Sequence, residues 1–358
     1  MSVISRRSCI ALGAGTAAAA ALAGCAARTP GSGTTTAASR SAYMVPPKTG
    51  PLLIGFSATS STDAFGRQQL LELQDEAKRL SADVRQVLDA DAAGSADKQV
   101  ADIESLVGRG VDVLLIDAAS DTALDATLEQ AQAKGVLLVS FRNTVSSPRA
   151  LAIGYDQERF GEVGGAWLAG RLARGDRVVT IDGPAGSADA RARLTGAMQA
   201  LEKAGIVIAA GAATDWDQAE AHAATEQLLA EHPDAKGVYS SNGVATLGAL
   251  EAMSQPGMKL LPVPGDGLNG FLRQWKQLRG SVGFESIAPS APPSLAAAAL
   301  RIAVRTARGE DPGRTPTVDL PVITSDTLDA HVRADVPATF YLPTGLSAET
   351  IQRNYLPR

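Results

Sequence analysis

Polar side chains stand just after the short apolar runs of this 358-residue chain. Thr59 and Asp63 follow Leu52 to Ala58, Asp117 follows Val111 to Ile116, and Arg142 with Asn143 follows Val136 to Phe141. Further on, Asn242 follows Gly237 to Ser240, Asp266 follows Lys259 to Val263, and Glu285 follows Ser281 to Phe284. Carboxylates accept hydrogen bonds, whereas guanidinium and amide groups donate them, so this set suits reversible capture of a polar ligand. Bond-making chemistry has little to work with. His222, His232 and His331 are isolated, and no Gly-x-Ser-x-Gly elbow, phosphate-binding loop or HExxH pair occurs. Asp89, Asp91, Gly94 and Asp97 lack the glutamate that would complete a calcium loop. Neither a metal nor a cofactor is expected, and the chain does not read as an enzyme.

The elements that must carry these residues follow from hydrophobic periodicity. Short β-branched runs alternate with segments whose apolar residues recur at three and four positions, such as Leu70, Leu73, Ala77 and Leu80. This rhythm predicts parallel βαβ units. A first set has strands at Leu52 to Ala58, Val84 to Leu88, Val111 to Ile116, Val136 to Phe141 and Leu151 to Gly154. A second set has Arg177 to Ile181, Ile206 to Ala210, Gly237 to Ser240, Lys259 to Val263 and Ser281 to Phe284. A helix over Pro293 to Arg308 and a last strand over Thr317 to Ile323 complete the body. In open parallel sheets ligands settle beyond the carboxyl ends of the strands, which is where the polar residues lie. The fold class is therefore α/β, with two doubly wound parallel-sheet lobes.

The amino terminus decides the compartment. Arg6 and Arg7 precede an apolar, alanine-rich run from Ile10 to Ala23, closed by Leu22-Ala23-Gly24-Cys25. This resembles a bacterial lipoprotein signal, cut before Cys25, whose thiol would then carry a lipid that holds the protein at a membrane face. Ser5-Arg6-Arg7-Ser8 also resembles a twin-arginine export signal. The apolar run is shorter than the roughly 20 residues of a membrane-spanning helix. Residues 26–51 are rich in Thr, Ser, Gly, Ala and Pro and read as a flexible tether. Both cysteines, Cys9 and Cys25, fall in the signal, so no disulfide framework is expected. The net charge of −5 with scattered basic residues excludes a nucleic-acid partner.

Several motifs in this order resemble the type I periplasmic sugar-binding proteins, specifically the ribose-binding branch that serves ABC importers. They are Ile54-Gly55-Phe56-Ser57-Ala58-Thr59 with Asp63-Ala64-Phe65, Gly108-Arg109-Gly110-Val111-Asp112 with Val113 to Ile116, and Gly186-Ser187-Ala188-Asp189-Ala190-Arg191. Asp215-Trp216-Asp217, Asn242 with Leu247-Gly248-Ala249-Leu250, and Gly265-Asp266-Gly267 continue the series. The resemblance implies two lobes, 52–154 plus 286–316 and 155–285 plus 317–324, with a three-segment hinge near Ile153 to Asp156, Glu285 to Ala288 and Thr317 to Leu320. It leaves 325–358 as a tail without an assigned role. Carried over by position, the sugar contacts fall on Thr59, Asp63, Phe65, Asp117, Arg142, Arg191, Trp216, Asn242, Asp266 and Glu285, with Phe141 beside Arg142 also expected at the ligand. Phe65 and Trp216 would pack on the apolar face of a sugar ring. Asp63 can equally serve as a helix N-cap, and Trp216 as an anchor for the helix after it.

Departures from the family pattern bear on the ligand. Phe141 stands where ribose binders have an acid beside the arginine, and Gly66 replaces a second aromatic. Asp63 and Asp117 stand in place of asparagines, and Glu285 in place of a glutamine. These changes favour a hydroxyl-rich or amine-bearing ligand over an anionic sugar acid. The resemblance thus implies a monomeric, extracytoplasmic, lipid-anchored protein that hands a monosaccharide or polyol to an ABC permease. A sugar-sensing receptor protein for chemotaxis or for a histidine kinase is the alternative.

Overall fold

The computed structural model describes residues 41–356. In chain order the first elements are β1 (Leu52–Ala58), α1 (Ala64–Arg79), β2 (Val84–Asp91), α2 (Ala96–Gly108), β3 (Val113–Ile116), α3 (Asp125–Ala133), β4 (Leu137–Phe141) and β5 (Ala150–Tyr155). Next come α4 (Gln157–Ala169), β6 (Arg177–Asp182), α5 (Ala188–Ala204), β7 (Val207–Ala213), α6 (Gln218–Glu231), β8 (Ala235–Ser240), α7 (Gly243–Met253) and α8 (Asn269–Val282). The chain continues through β9 (Ala288–Pro289), α9 (Leu295–Ala307), β10 (Thr317–Val318), β11 (Val322–Ile323), α10 (Leu328–His331) and α11 (Ala348–Tyr355).

The first lobe is a six-stranded parallel sheet in the order β10-β5-β4-β3-β1-β2. β1, β3 and β4 are buried along their whole length, which explains their near-continuous apolar sequence: helices cover both faces. One face packs α1 and α9 through Leu73, Leu300 and Val304, and the other packs α2 and α3 through Ile103, Leu106 and Leu128. The second lobe is built on the parallel order β7-β6-β8, with α6, α7 and α8 on one face and α4 and α5 on the other. α4 and α5 touch through their backbones. A Cβ on Gly161 would lie 1.7 Å from the Arg193 carbonyl oxygen, and one on Gly196 would lie 1.9 Å from that of Glu158. Only glycine permits so close an approach, and it fixes α5 against the lobe.

Three segments cross between the lobes. The chain leaves β5 for α4 at Asp156, returns over residues 290–294 into α9, and leaves again over residues 319–321 between β10 and β11. The second crossing falls later than Glu285 to Ala288, because β9 pairs with β11 and Ala288 belongs to the second lobe's core. Thr317–Val318 pairs with Gly154 and Tyr155, so the start of the expected last strand lies in the first lobe. The expected strand at Ser281 to Phe284 is overridden by α8, whose amphipathic pattern carries it to Val282. Lys259 to Val263 forms no ladder, although Val238 N–H donates to the Pro262 carbonyl at 3.0 Å.

The ends of the body also differ from expectation. Within the expected tether, Tyr43 and Val45 are buried in the first lobe's core, so chain from Tyr43 onward packs rather than floats. Met1 to Cys25, with the signal, Cys25 and the export motif, lies outside the described residues. After β11 the tail folds back. Leu328, Val336, Phe340, Leu342, Leu346 and Ile351 join the second lobe's core. Asn269 Nδ2 holds the carbonyls of Arg333, Val336 and Pro337. Among the described residues no helix is long and apolar enough to cross a membrane.

Candidate functional site

A cleft of about 640 Å³ lies between the carboxyl ends of the two sheets, lined from both lobes and from the tail. On the first lobe it is framed by the start of α1. Asp63 caps that helix, accepting from Gly66 N–H at 2.9 Å, and also faces the cleft, so the cap does not take it out of the candidate site. The glycine at 66 has a local cause: a Cβ there would lie 2.1 Å from the Ser60 carbonyl oxygen. One turn on, Phe65 and Gln69 form the wall.

Arg142 follows β4 in a left-handed conformation, φ 60°, that turns its side chain into the cleft. A bulky residue adopts this conformation only when its surroundings hold it there. They do so here. Nη1 donates to Asp117 Oδ2 at 2.8 Å, and the guanidinium lies 4.6 Å from the centre of the Phe65 ring. Gln69 Nε2 donates to the same Asp117 oxygen at 3.0 Å. Burial opposes the charge on Arg142, but the Asp117 carboxylate outweighs it and holds the guanidinium protonated. The acid missing beside the arginine is thus supplied from the end of the neighbouring strand.

On the second lobe the matching cation is Arg193. Its Nε donates to Gln157 Oε1 at 2.8 Å and its Nη1 to the Ser241 carbonyl at 2.9 Å, while the guanidinium lies 4.0 Å from the Phe160 ring centre. Trp216, also left-handed at φ 60°, sits between β7 and α6 with its ring 5.8 Å from the same guanidinium. Asn242 caps α7 by accepting from Ala245 N–H at 2.7 Å, and Asp266 accepts from Leu268 N–H at 2.8 Å. Asp189 and Asp215 complete the polar wall. Burial pushes the Asp189 and Asp266 carboxyls up from the usual range.

Of the residues singled out from sequence, the cleft gathers Asp63, Phe65, Arg142, Trp216, Asn242 and Asp266. Asp117 is wholly buried one layer behind, where it accepts from Arg142 and Gln69. Phe141 points into the core, 5.8 Å from Phe56, because strand residues alternate faces. Three others do not line the cleft. Thr59 serves through its backbone, accepting from Gly94 N–H at 2.7 Å. Glu285 pairs with Arg279 at 3.3 Å and accepts from Ser325. Arg191 is exposed and donates to the carbonyls of Ala185 and Gly186. Two helical positions turn a side chain by about 200°, so Arg191 and Arg193 face opposite ways and the cleft receives Arg193. Gln69, Gln157, Asp189, Asp215 and Tyr341 line the cleft without having been singled out as contacts. A 3.6-residue projection of α5 was the available signal for Arg193 and Asp189; Tyr341 gave none, lying in a tail of weak periodicity.

Among the described residues no cluster of three or more His, Cys, Asp or Glu side chains is arranged to hold a metal ion. The arrangement can hydrogen-bond and stack, on two surfaces joined by a three-segment hinge.

Comparison with known proteins agrees with this geometry. The family model of the periplasmic binding protein domain matches residues 54–311. The ribose import binding protein of Bacillus subtilis is 29% identical over 215 residues, spanning 60% of this chain and 69% of that protein. The xylitol-binding protein of Mycolicibacterium smegmatis is 26% identical over 238 residues, 65% of this chain and 67% of that one. For other ribose-binding relatives the match spans between half and two thirds of their length. A solute-binding protein of an ABC transporter from Mycobacterium smegmatis, solved with glycerol bound, superposes with a TM-score of 0.68 at 27% identity, covering 82% of this chain and all of that one. With the matched stretch running through both lobes and the cleft, this chain belongs to the periplasmic binding protein family as a type I sugar-binding member, a kind that binds substrates rather than transforming them.

Proposed function

We propose that this protein works outside the cytoplasm, held to a membrane through a lipid on Cys25, where it captures a monosaccharide or polyol between its lobes and delivers it to an ABC importer. One observation carries the reading: Arg142 from the first lobe and Arg193 from the second line one cleft, together with the aromatic rings of Phe65 and Trp216. Hydroxyls can accept from both guanidiniums while donating to Asp63, Asp189, Asp215 and Asp266, and the rings suit the C–H face of a sugar. Carboxylates outnumber guanidiniums along this wall, which favours neutral or amine-bearing ligands over sugar acids. Lobe closure around the ligand then gives the permease a distinct shape to recognise. The kinship with ribose-, allose- and xylitol-binding proteins supports this class of ligand.

A thermal-shift series with D-ribose, D-allose, xylitol, myo-inositol, glucosamine and glucuronate tests it. Saturating amounts of at least one neutral or amine-bearing member should raise the melting temperature, because ligand stabilises the folded state by mass action. A shift with glucuronate alone, or with none of the six, would contradict the reading.

A further inference from the structure

The tail does more than complete the second lobe. The family match ends at residue 311, and the chain beyond β11 is rooted on α8 by Asn269 and Arg273, which hold the Arg333 carbonyl. It then reaches the other lobe. Gln68, Glu72 and Asp75 recur on one face of α1, at the spacing that puts side chains over one another, and all three are buried beneath the tail. The Gln68 amide clamps the backbone of Tyr341 in both directions, donating to its carbonyl and accepting from its N–H at 2.9 Å each. Glu72 accepts from Thr344 Oγ1 at 2.5 Å and from Gly345 N–H at 3.1 Å. Asp75 accepts from Ser347 N–H at 2.6 Å and Thr350 Oγ1 at 2.7 Å. A helix that merely covered a sheet would bury apolar residues on this face; here it buries hydrogen-bonding groups matched to the tail's backbone and hydroxyls.

The clamp delivers one side chain to the site. Tyr341 lines the cleft, meets Phe65 edge to face at 5.1 Å between ring centres, and its hydroxyl has no hydrogen-bond partner among the described residues. An unpartnered phenol beside the aromatic ring that would carry the sugar is placed to donate to, or accept from, a ligand hydroxyl.

We propose that Tyr341 is a ligand-contact and specificity-determining residue, supplied to the cleft by the tail and set in place by Gln68. This deepens the sugar-binding reading and rests on it. Tyr341 forms a wall that neither sheet provides, so ligand preference depends on a segment outside the family-matched body.

The test combines calorimetry and amide hydrogen exchange on the full chain. D-Ribose, D-allose, xylitol and myo-inositol are the probes, and the variants are Tyr341→Phe, which keeps the ring and loses only the hydroxyl, and Gln68→Ala, which releases the clamp. Tyr341→Phe should melt like the parent without ligand, bind the best probe roughly tenfold more weakly, and change the order of preference among the four. Gln68→Ala should change that order in the same direction while the Tyr341 amide exchanges faster. Parent-like binding of every probe by Tyr341→Phe overturns the proposal. So does rapid exchange at the Tyr341 and Gly345 amides of the parent, which would mean an undocked tail and needs no ligand to detect. If the parent binds none of the probes while those amides are protected, the sugar-binding reading itself has failed and the ligand role of Tyr341 falls with it.

Discussion

Arg142 and Asp117 form a pair of unequal exposure: Nη1 lies 2.8 Å from Oδ2, with the arginine side chain one third exposed and the aspartate wholly buried. The carboxylate therefore acts as a fixed support for a group that reaches the cleft. Asp117→Ala would leave both the guanidinium and the Gln69 amide without their acceptor. We expect ligand affinity to fall at least about tenfold. Stability should fall by about 1 to 3 kcal/mol, less than for a fully buried pair because water still reaches Arg142. Calorimetry and chemical denaturation measure the two effects, and unchanged affinity would show that Arg142 holds its position unaided.

Arg191 and Arg193 separate a surface role from a cleft role within one helix. Arg191→Ala should leave affinity and melting near those of the parent, since it removes only exposed bonds to two carbonyls. Arg193→Ala should reduce affinity by tenfold or more and also lower stability by about 1 to 2 kcal/mol, because Gln157 and the Ser241 carbonyl lose a buried donor. Equal effects from the two substitutions would place the second-lobe cation elsewhere.

Asp182, at the end of β6, gives the fold a pH signature. Burial raises its pKa to about 6, and its hydrogen bond from Thr180 at 2.8 Å only partly offsets that. The folded state thus binds a proton more tightly than the unfolded state, whose carboxyl titrates near 4. The stabilisation is fully present below about pH 4 and is lost as pH rises through about 6, on the order of 2 kcal/mol in all. Asp182→Asn should remove this slope. In melting curves between pH 4 and 8 the parent should lose stability relative to Asp182→Asn across that window, and the two should run parallel above it; parallel curves throughout would mean that the carboxyl is solvated.

For the anchor, Cys25→Ser should yield a precursor without lipid mass that leaves the membrane fraction. Mass spectrometry after fractionation decides this, and lipid found on the variant would refute the role of Cys25.

Sequence periodicity carried the first lobe well because β1, β3 and β4 are buried on both faces, and such strands must be apolar throughout. The polar residues after them were legible for the same reason: Arg142 has no packing role that an apolar neighbour could not fill better. Helical sites were harder. The choice between Arg191 and Arg193 depends on which face of α5 meets the cleft, and that face is set by the backbone contact of Gly161 and Gly196 with the opposing helix, a relationship between distant residues. Glu285 was misplaced because α8 runs into the expected strand before it, as far as Val282, and no strand forms there. Tyr341 was missed for another reason. Its position depends on Gln68, some 270 residues earlier, and no local pattern records that pairing.

The tail's hold on α1 also bears on the timing of cleft opening. To open, the cleft must rotate three crossings and separate Gln68, Glu72 and Asp75 from backbone that is rooted on the other lobe. Those hydrogen bonds add to the cost of opening, so any opening that breaks them is disfavoured relative to the crossings alone. Little intrinsic affinity is then lost to rare populations of the binding-competent form, but entry and exit both slow. Such a seam favours long retention over rapid exchange.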